Sequence, residues 1–177
     1  LDPDHWAFRA PKKPAVPAGG GATEIDRFVA AQLARNGLEP SSAADKRTLL
    51  RRLYVDLIGL APTFEQIERF ESDASPNAVE KVVDELLSSR LFGERWGRHW
   101  LDVARYSDEG FAAHPLPAAW TYRDWVIRAF NDDMPYDRFV LEQLAGDELP
   151  DRSISTIAAT GFIRLGTWND EPNDADE

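Results

Sequence analysis

Apolar residues recur with helical spacing along most of the chain, and no run alternates apolar and polar over the length of a strand. Thr23 is fit to cap a helix, with Asp26 three residues on; Ile25, Phe28, Val29 and Leu33 share its apolar face and Gly37 ends it. Ser42 is expected to cap a second helix. There Leu49, Leu50, Leu53, Tyr54, Leu57 and Ile58 form one face, Lys46, Arg47, Arg51 and Arg52 lie largely on the other, and Gly59 and Pro62 stop the run. Thr63-Phe64-Glu65-Gln66 has the form of a capping box, opening a short helix through Phe70. Ser75-Pro76 predicts another start, serine at the cap and proline in the first turn, with Val79, Val82, Val83, Leu86 and Leu87 turned inward.

The segment from Leu91 to Tyr106 carries Phe92, Trp96, His99, Trp100, Val103 and Tyr106 along one broad helical face, and this aromatic face is expected to be mostly core. Residues 107–119 have no period and contain Gly110, Pro115 and Pro117, so they read as a loop of the kind that carries sites. Thr121 is expected to cap a helix with Trp125, Val126, Ala129 and Phe130 apolar. Pro135 is expected at the first position of a helix with Phe139, Val140 and Leu144, closed by Gly146, and Ile154 to Leu165 make a last helix. The fold class that follows is all-α, a compact multi-helix domain of about seven or eight short helices over residues 23–166.

Two flanking segments break this pattern. Pro11, Pro14, Pro17 and the triple glycine Gly19 to Gly21 make residues 1–22 an irregular arm and linker, in which Trp6 and Phe8 are expected to dock back on an apolar surface. Residues 167–177 hold five carboxylates and no base, and are expected to be an extended acidic tail that begins a missing continuation. A chain that starts at Leu1 and stops inside an acidic run reads as an excised segment, with any export signal outside it.

Charge and composition exclude more than they assign. The 31 acidic against 20 basic side chains give a net charge of −11, which disfavours a nucleic acid partner. No apolar run approaches the roughly 20 residues of a membrane span. The chain has no cysteine, which excludes disulfides, thiolate metal sites and the thioether attachment of a c-type haem to this segment. Phosphate-loop, nucleophile-elbow and His-Glu-x-x-His motifs are also absent.

Seven blocks in order carry a family resemblance: Ile25 to Val29, Arg51-Arg-Leu-Tyr-Val-Asp-Leu-Ile-Gly-Leu60, Gly93-Glu-Arg-Trp-Gly-Arg-His-Trp-Leu-Asp-Val-Ala-Arg-Tyr106, Tyr122 to Asn131, Asp133 to Val140, Gln143 to Asp147 and Ala159 to Phe162. Together they resemble the planctomycete-type domain of unknown function 1549. The resemblance implies a module of a large exported protein, periplasmic or at the cell surface. Its partners would be a cytochrome c-like domain and a C-terminal domain of the same protein, and the c-type haem would be held in those flanking parts, with no cofactor in this segment. Where the family commonly carries Asp-x-Asp-Gly, this chain has Ser107-Asp108-Glu109-Gly110.

Several residues have the chemistry for more. His99, three residues before Asp102, could donate to that carboxylate and turn its other nitrogen to an iron or a substrate, although a lone histidine among tryptophans is more often a core residue. Arg98, Asp102 and Arg105 could equally form a structural charge network. Asp108 and Glu109 offer hard oxygens suited to calcium, but without the spacing of an EF-hand. Three functions are weighed. The first, implied by the resemblance and by the absence of a standard catalytic motif, is a non-catalytic module of a cytochrome-linked protein, supporting electron transfer or organising the haem domain. The second is an enzyme domain, redox or hydrolytic toward polysaccharide, with His99, Asp102, Arg105, Tyr106 and Asp108 in one cleft. The third is a module binding sulfated or other polysaccharide through Trp120, Trp168, Arg51 and Arg52.

Overall fold

The computed structural model describes residues 5–109 and 118–165, and the chain divides into two compact units, one ending at Ala44 and the other beginning at Asp45. The first unit contains a 3-10 turn, Trp6–Phe8, and helix α1, Glu24–Arg35. The capping box forms as the spacing predicts: the Asp26 amide donates to Thr23 Oγ1 at 3.1 Å and the Thr23 amide to Asp26 Oδ2 at 2.9 Å. Gly37 ends the helix in the left-handed region, at φ +66°, and lets the Leu38 amide reach back to the Leu33 carbonyl at 3.0 Å. No residue of α1 is buried. Trp6 and Phe8 are 79% and 64% exposed and lie beside the His5 ring, with centroids 5.6 and 6.1 Å away.

The second unit holds α2 (Lys46–Ile58), α3 (Phe64–Ser72), α4 (Ala78–Leu87), α5 (Arg90–Ala104), α6 (Ala119–Asn131), α7 (Tyr136–Ala145) and α8 (Ile154–Ala159), which runs on into a 3-10 turn, Thr160–Arg164. The described residues form no strand, and the fold is all-α. Several helix starts differ from the sequence reading for local reasons. Asp45, not Ser42, caps α2, accepting from the Thr48 amide at 2.8 Å. The Ser75 amide is drawn to the Asp73 carboxylate, so α4 begins only after Asn77. Pro135 stands at the cap of α7 instead of its first position. Ala118, at φ +65°, precedes α6, and Thr121 sits inside the first turn with its hydroxyl donating to the Ala118 carbonyl. The last helix tightens after Ala159, where Gly161 lies so close to Tyr122 that a Cβ would stand 2.8 Å from the Tyr122 Cβ.

Two cores result. Leu50, Tyr54, Phe70, Ala78, Val82 and Leu86 join α2, α3 and α4; Tyr122, Trp125, Val126, Ala129, Phe139 and Ala159 join α6, α7 and α8, with Trp100 and Tyr106 of the α5 segment packed against them. Helix α5 meets α6 through glycines. The Gly93 amide donates to Asn131 Oδ1 at 2.8 Å, Asn131 Nδ2 donates to the Arg90 carbonyl, and a Cβ on Gly93 would stand 2.3 Å from the Ile127 carbonyl oxygen. The inner face of α5 therefore follows Gly93, Gly97 and Trp100. Phe92 and Trp96 each precede one of these glycines by one residue, about 100° round the helix. That rotation corrects the expected aromatic face. Trp96 is 38% and Val103 77% exposed, and His99 is exposed as well, so it is not a core residue.

Candidate functional site

Of the residues expected to share a catalytic cleft, Tyr106 and Asp108 are joined directly, and among the described residues no hydrogen bond or ion pair ties either of them to His99, Asp102 or Arg105. His99 makes an edge-on contact with the Trp96 ring, centroids 5.4 Å apart, and donates to no carboxylate among the described residues. Asp102 pairs instead with Arg98 at 3.8 Å, one turn back on the same exposed helix face. Arg105 ends α5 in the left-handed region, at φ +60°, and is exposed. An exposed pair of this kind contributes about 0–1 kcal/mol, and the imagined network of Arg98, Asp102 and Arg105 reduces to this one contact.

Tyr106 and Asp108 do come together, with two residues that the sequence reading did not single out. The Tyr106 hydroxyl donates to Asp108 Oδ1, Arg123 approaches Asp108 Oδ2 at 3.6 Å, and the same guanidinium holds Asp124 at 3.1 Å. Burial, helped by the Asp108 carboxylate, pushes the Tyr106 phenol up to about 12, so the proton stays on the tyrosine at neutral pH. Both Asp108 oxygens are thus engaged by a donor and a cation. Arg123 takes the position between two carboxylates where a calcium ion would need to stand, and the described residues contain no group of three His, Asp or Glu side chains able to hold a metal. Glu109 is bound through its amide to Ser107 Oγ, and its carboxylate does not join this cluster. Gly110 lies outside the described residues.

The basic face of α2 is divided. Lys46 Nζ donates to the carbonyls of Glu71 and Asp73, and Arg47 makes a two-pronged contact with the Glu71 carboxylate, so both tie α2 to α3 and its C-terminal turn. Arg51 and Arg52 remain exposed, two guanidinium groups in place of the four-residue basic face.

Trp120 stands at the start of α6 and is 54% exposed, on the wall of a surface groove of about 340 Å³ between α6 and α8. Thr121, Asp124, Arg128, Ile154, Ser155 and Ala158 complete its lining. Asp124 belongs both to this groove and to the Tyr106 cluster through Arg123. Trp168, the other tryptophan expected at a binding surface, lies outside the described residues.

Further polar chemistry is buried among α5, α6 and α7. Trp100 Nε1 lies 3.0 Å from both Tyr122 Oη and Gln143 Oε1, the Tyr122 hydroxyl donates to Gln143 at 2.7 Å, and Gln143 Nε2 donates to the Phe139 carbonyl. Trp125 Nε1 donates to Glu142, which also receives Arg138 at 2.7 Å. Each donor has its acceptor, which makes this network a structural clamp. A legible signal for it existed: Gln143 falls four residues after Phe139, on the helix face that the apolar residues mark as inward.

No helix among the described residues is long and apolar enough to cross a membrane. The PSCyt2 family, described as Protein of unknown function (DUF1549), matches residues 24–177. No curated protein and no solved structure matches the chain.

Proposed function

We propose that this chain, which belongs to the PSCyt2 (DUF1549) family, is a non-catalytic helical module that organises a haem-bearing domain of an exported multidomain protein and in that role supports its electron transfer. The observation that carries this reading is the stripe Phe92, Trp96, His99 and Val103 on α5. Trp96 and Val103 present apolar surface to solvent on the longest helix, while the inner face of that helix is already occupied by α6. Among the described residues no hydrogen bond or ion pair links His99, Asp102 or Arg105 to Tyr106 or Asp108, which favours the non-catalytic reading over a shared acid-base site. A haem of c-type would belong to the partner, since this chain has no cysteine to attach one. The family's short name, with its cytochrome element, agrees with such a partner.

In this arrangement the α5 stripe supplies the contact and His99 acts as part of a surface, not as an iron ligand. The test is a titration of the isotopically labelled chain with the cytochrome domain of the parent protein, following its indole N–H signals and the haem spectrum together. The Trp96 signal is expected to move saturably, Trp96→Ser to weaken binding at least tenfold, and His99→Ala to leave the haem spectrum unchanged. A stationary Trp96 signal, or equal affinity of the Trp96→Ser variant, overturns the docking face. A change of axial ligation on removing His99 would instead make the domain part of the haem site.

A further inference from the structure

The groove between α6 and α8 is separate from the α5 stripe and carries a different chemistry. Its floor and one wall are apolar, from Trp120, Ile154 and Ala158, and its polar groups are spaced along both helices: Thr121, Asp124 and Arg128 on α6, Ser155 on α8. Trp120, Asp124 and Arg128 recur at four-residue steps, so they form one row along the exposed side of α6. Among the described residues no ring or cation stacks on the Trp120 indole, and more than half of its surface is open. Arg128 is exposed and has no ion-pair partner among the described residues, whereas Asp124 is held at 3.1 Å by Arg123, a guanidinium it shares with Asp108.

That row has an order: an open aromatic face, a carboxylate held by Arg123 through one oxygen with the other still able to accept, and a guanidinium without an ion-pair partner among the described residues. An aromatic plane suits the C–H face of a pyranose ring, a carboxylate accepts from ring hydroxyls, and a guanidinium holds a carboxylate or sulfate by two parallel hydrogen bonds. Simple apolar ligands leave Arg128 and Asp124 unused. A peptide helix would need a longer apolar trough than the one bounded by Trp120 and Ala158. A volume of about 340 Å³ is at the small end of ligand sites, which suits a short saccharide segment and not a large cofactor.

We infer that the α6 and α8 groove binds a short acidic saccharide, with one sugar ring on Trp120 and its carboxylate or sulfate on Arg128. Charge also predicts a restriction. With a net charge of −11, the protein as a whole repels a long polyanion, so recognition is confined to the few sugar units that the groove contacts and weakens little with added salt compared with a binder that uses a broad basic surface.

Indole N–H spectra of the labelled chain read this directly, the Trp120 signal being assigned by its loss in Trp120→Phe. Trigalacturonate, a sulfated trisaccharide from carrageenan and neutral maltotriose are the three probes. The Trp120 signal is expected to shift saturably with an acidic probe. Arg128→Gln should raise the midpoint at least fivefold, and maltotriose should bind at least fivefold more weakly than the better acidic probe. Preference between the uronate and the sulfate identifies which anion Arg128 takes. Both substitutions fall on exposed side chains, and an unchanged far-ultraviolet circular dichroism spectrum establishes that the variants are folded. The assignment is overturned if no probe moves the Trp120 signal, if Arg128→Gln binds as the parent does, or if maltotriose matches the acidic probes. Because the α5 stripe is not touched, a negative result here leaves the cytochrome titration unaffected, and the reverse also holds.

Discussion

The two cores of the second unit solve the same problem with opposite placements of polar chemistry. Around Leu50, Tyr54, Phe70, Val82 and Leu86 no charged residue is itself buried, although Arg69 reaches the buried Tyr54 side chain, and the ion pairs between helices run along the rim: Arg47 to Glu71, Arg69 to Glu85 and Lys81 to Asp73, each partly exposed. Around Tyr122, Trp125 and Phe139 the polar ties are inside, where Gln143 and Glu142 are 2% and 5% exposed and hold three aromatic side chains by hydrogen bonds. Rim pairs contribute little and can be lost one at a time. Interior ones fix a single geometry, because a ring that moves leaves a buried donor or acceptor unpaired.

The largest effect that would break this comparison is at Trp125. Trp125→Ala empties a fully buried site stacked against Phe139 and Tyr122 and removes the indole donor to Glu142, and is expected to cost about 3–5 kcal/mol. Glu85→Ala, which removes a rim partner of Arg69, should stay within about 1 kcal/mol. Urea unfolding of both variants gives the two numbers. Equal losses would show that the inner network and the rim are energetically alike.

Helix α5 serves both cores, and its glycines sharpen the contrast. Gly93→Ala drives a methyl into the Ile127 carbonyl and the Asn131 amide, neither of which can retreat without moving α6, and should destabilise by about 1–3 kcal/mol. Gly97→Ala meets Val126 and Ile127 at ordinary contact distances of 3.4–3.6 Å, so the better helix propensity of alanine should dominate, leaving stability unchanged or raised by up to about 1 kcal/mol. Thermal melts distinguish the two, and a reversed order would mean that the helix crossing is centred on Gly97.

These residues also show what could be read before the fold was known. The existence of the helices, the Thr23 and Thr63 capping boxes and the ends at Gly37 and Gly59 were legible, because local hydrogen bonds and apolar period decide them. The direction of α5 was not. Its large aromatics suggested an inward face, yet the closest packing is made by the residues with least side chain, and only the four-residue spacing of Gly93 and Gly97 pointed to it. The candidate catalytic residues were chosen by type within one stretch of sequence, whereas Tyr106 and Asp108 meet Arg123 and Asp124 from the next helix, a contact that no local pattern encodes. Trp120 was recognisable as exposed because it borders a loop, but its groove depends on α8, more than thirty residues further on.

The smallest predicted effect concerns acid. Asp73 is held at about 2, below its ordinary 3.8, first by the Ser75 hydroxyl and amide and then by Lys81. A carboxyl depressed by folding contributes stability that is complete above the unfolded value and is lost as pH falls toward the folded one. The rim of the first core should therefore weaken between about pH 4 and pH 2; in the second core Tyr122, pushed up to about 12 by burial, stays neutral, while Asp151, held below its ordinary value by its hydrogen bond to Arg138, loses its contribution in the same direction. Asp73→Asn keeps the shape of the side chain and removes the titration. Its urea midpoint should fall less steeply than that of the parent as the buffer is taken from pH 4.5 to pH 2.5, with Lys81→Met producing a smaller change of the same sign because Lys81 is the weaker of the two influences. Parallel acid limbs for the parent and Asp73→Asn would place the acid response at other carboxylates, Asp151 beside Arg138 among them.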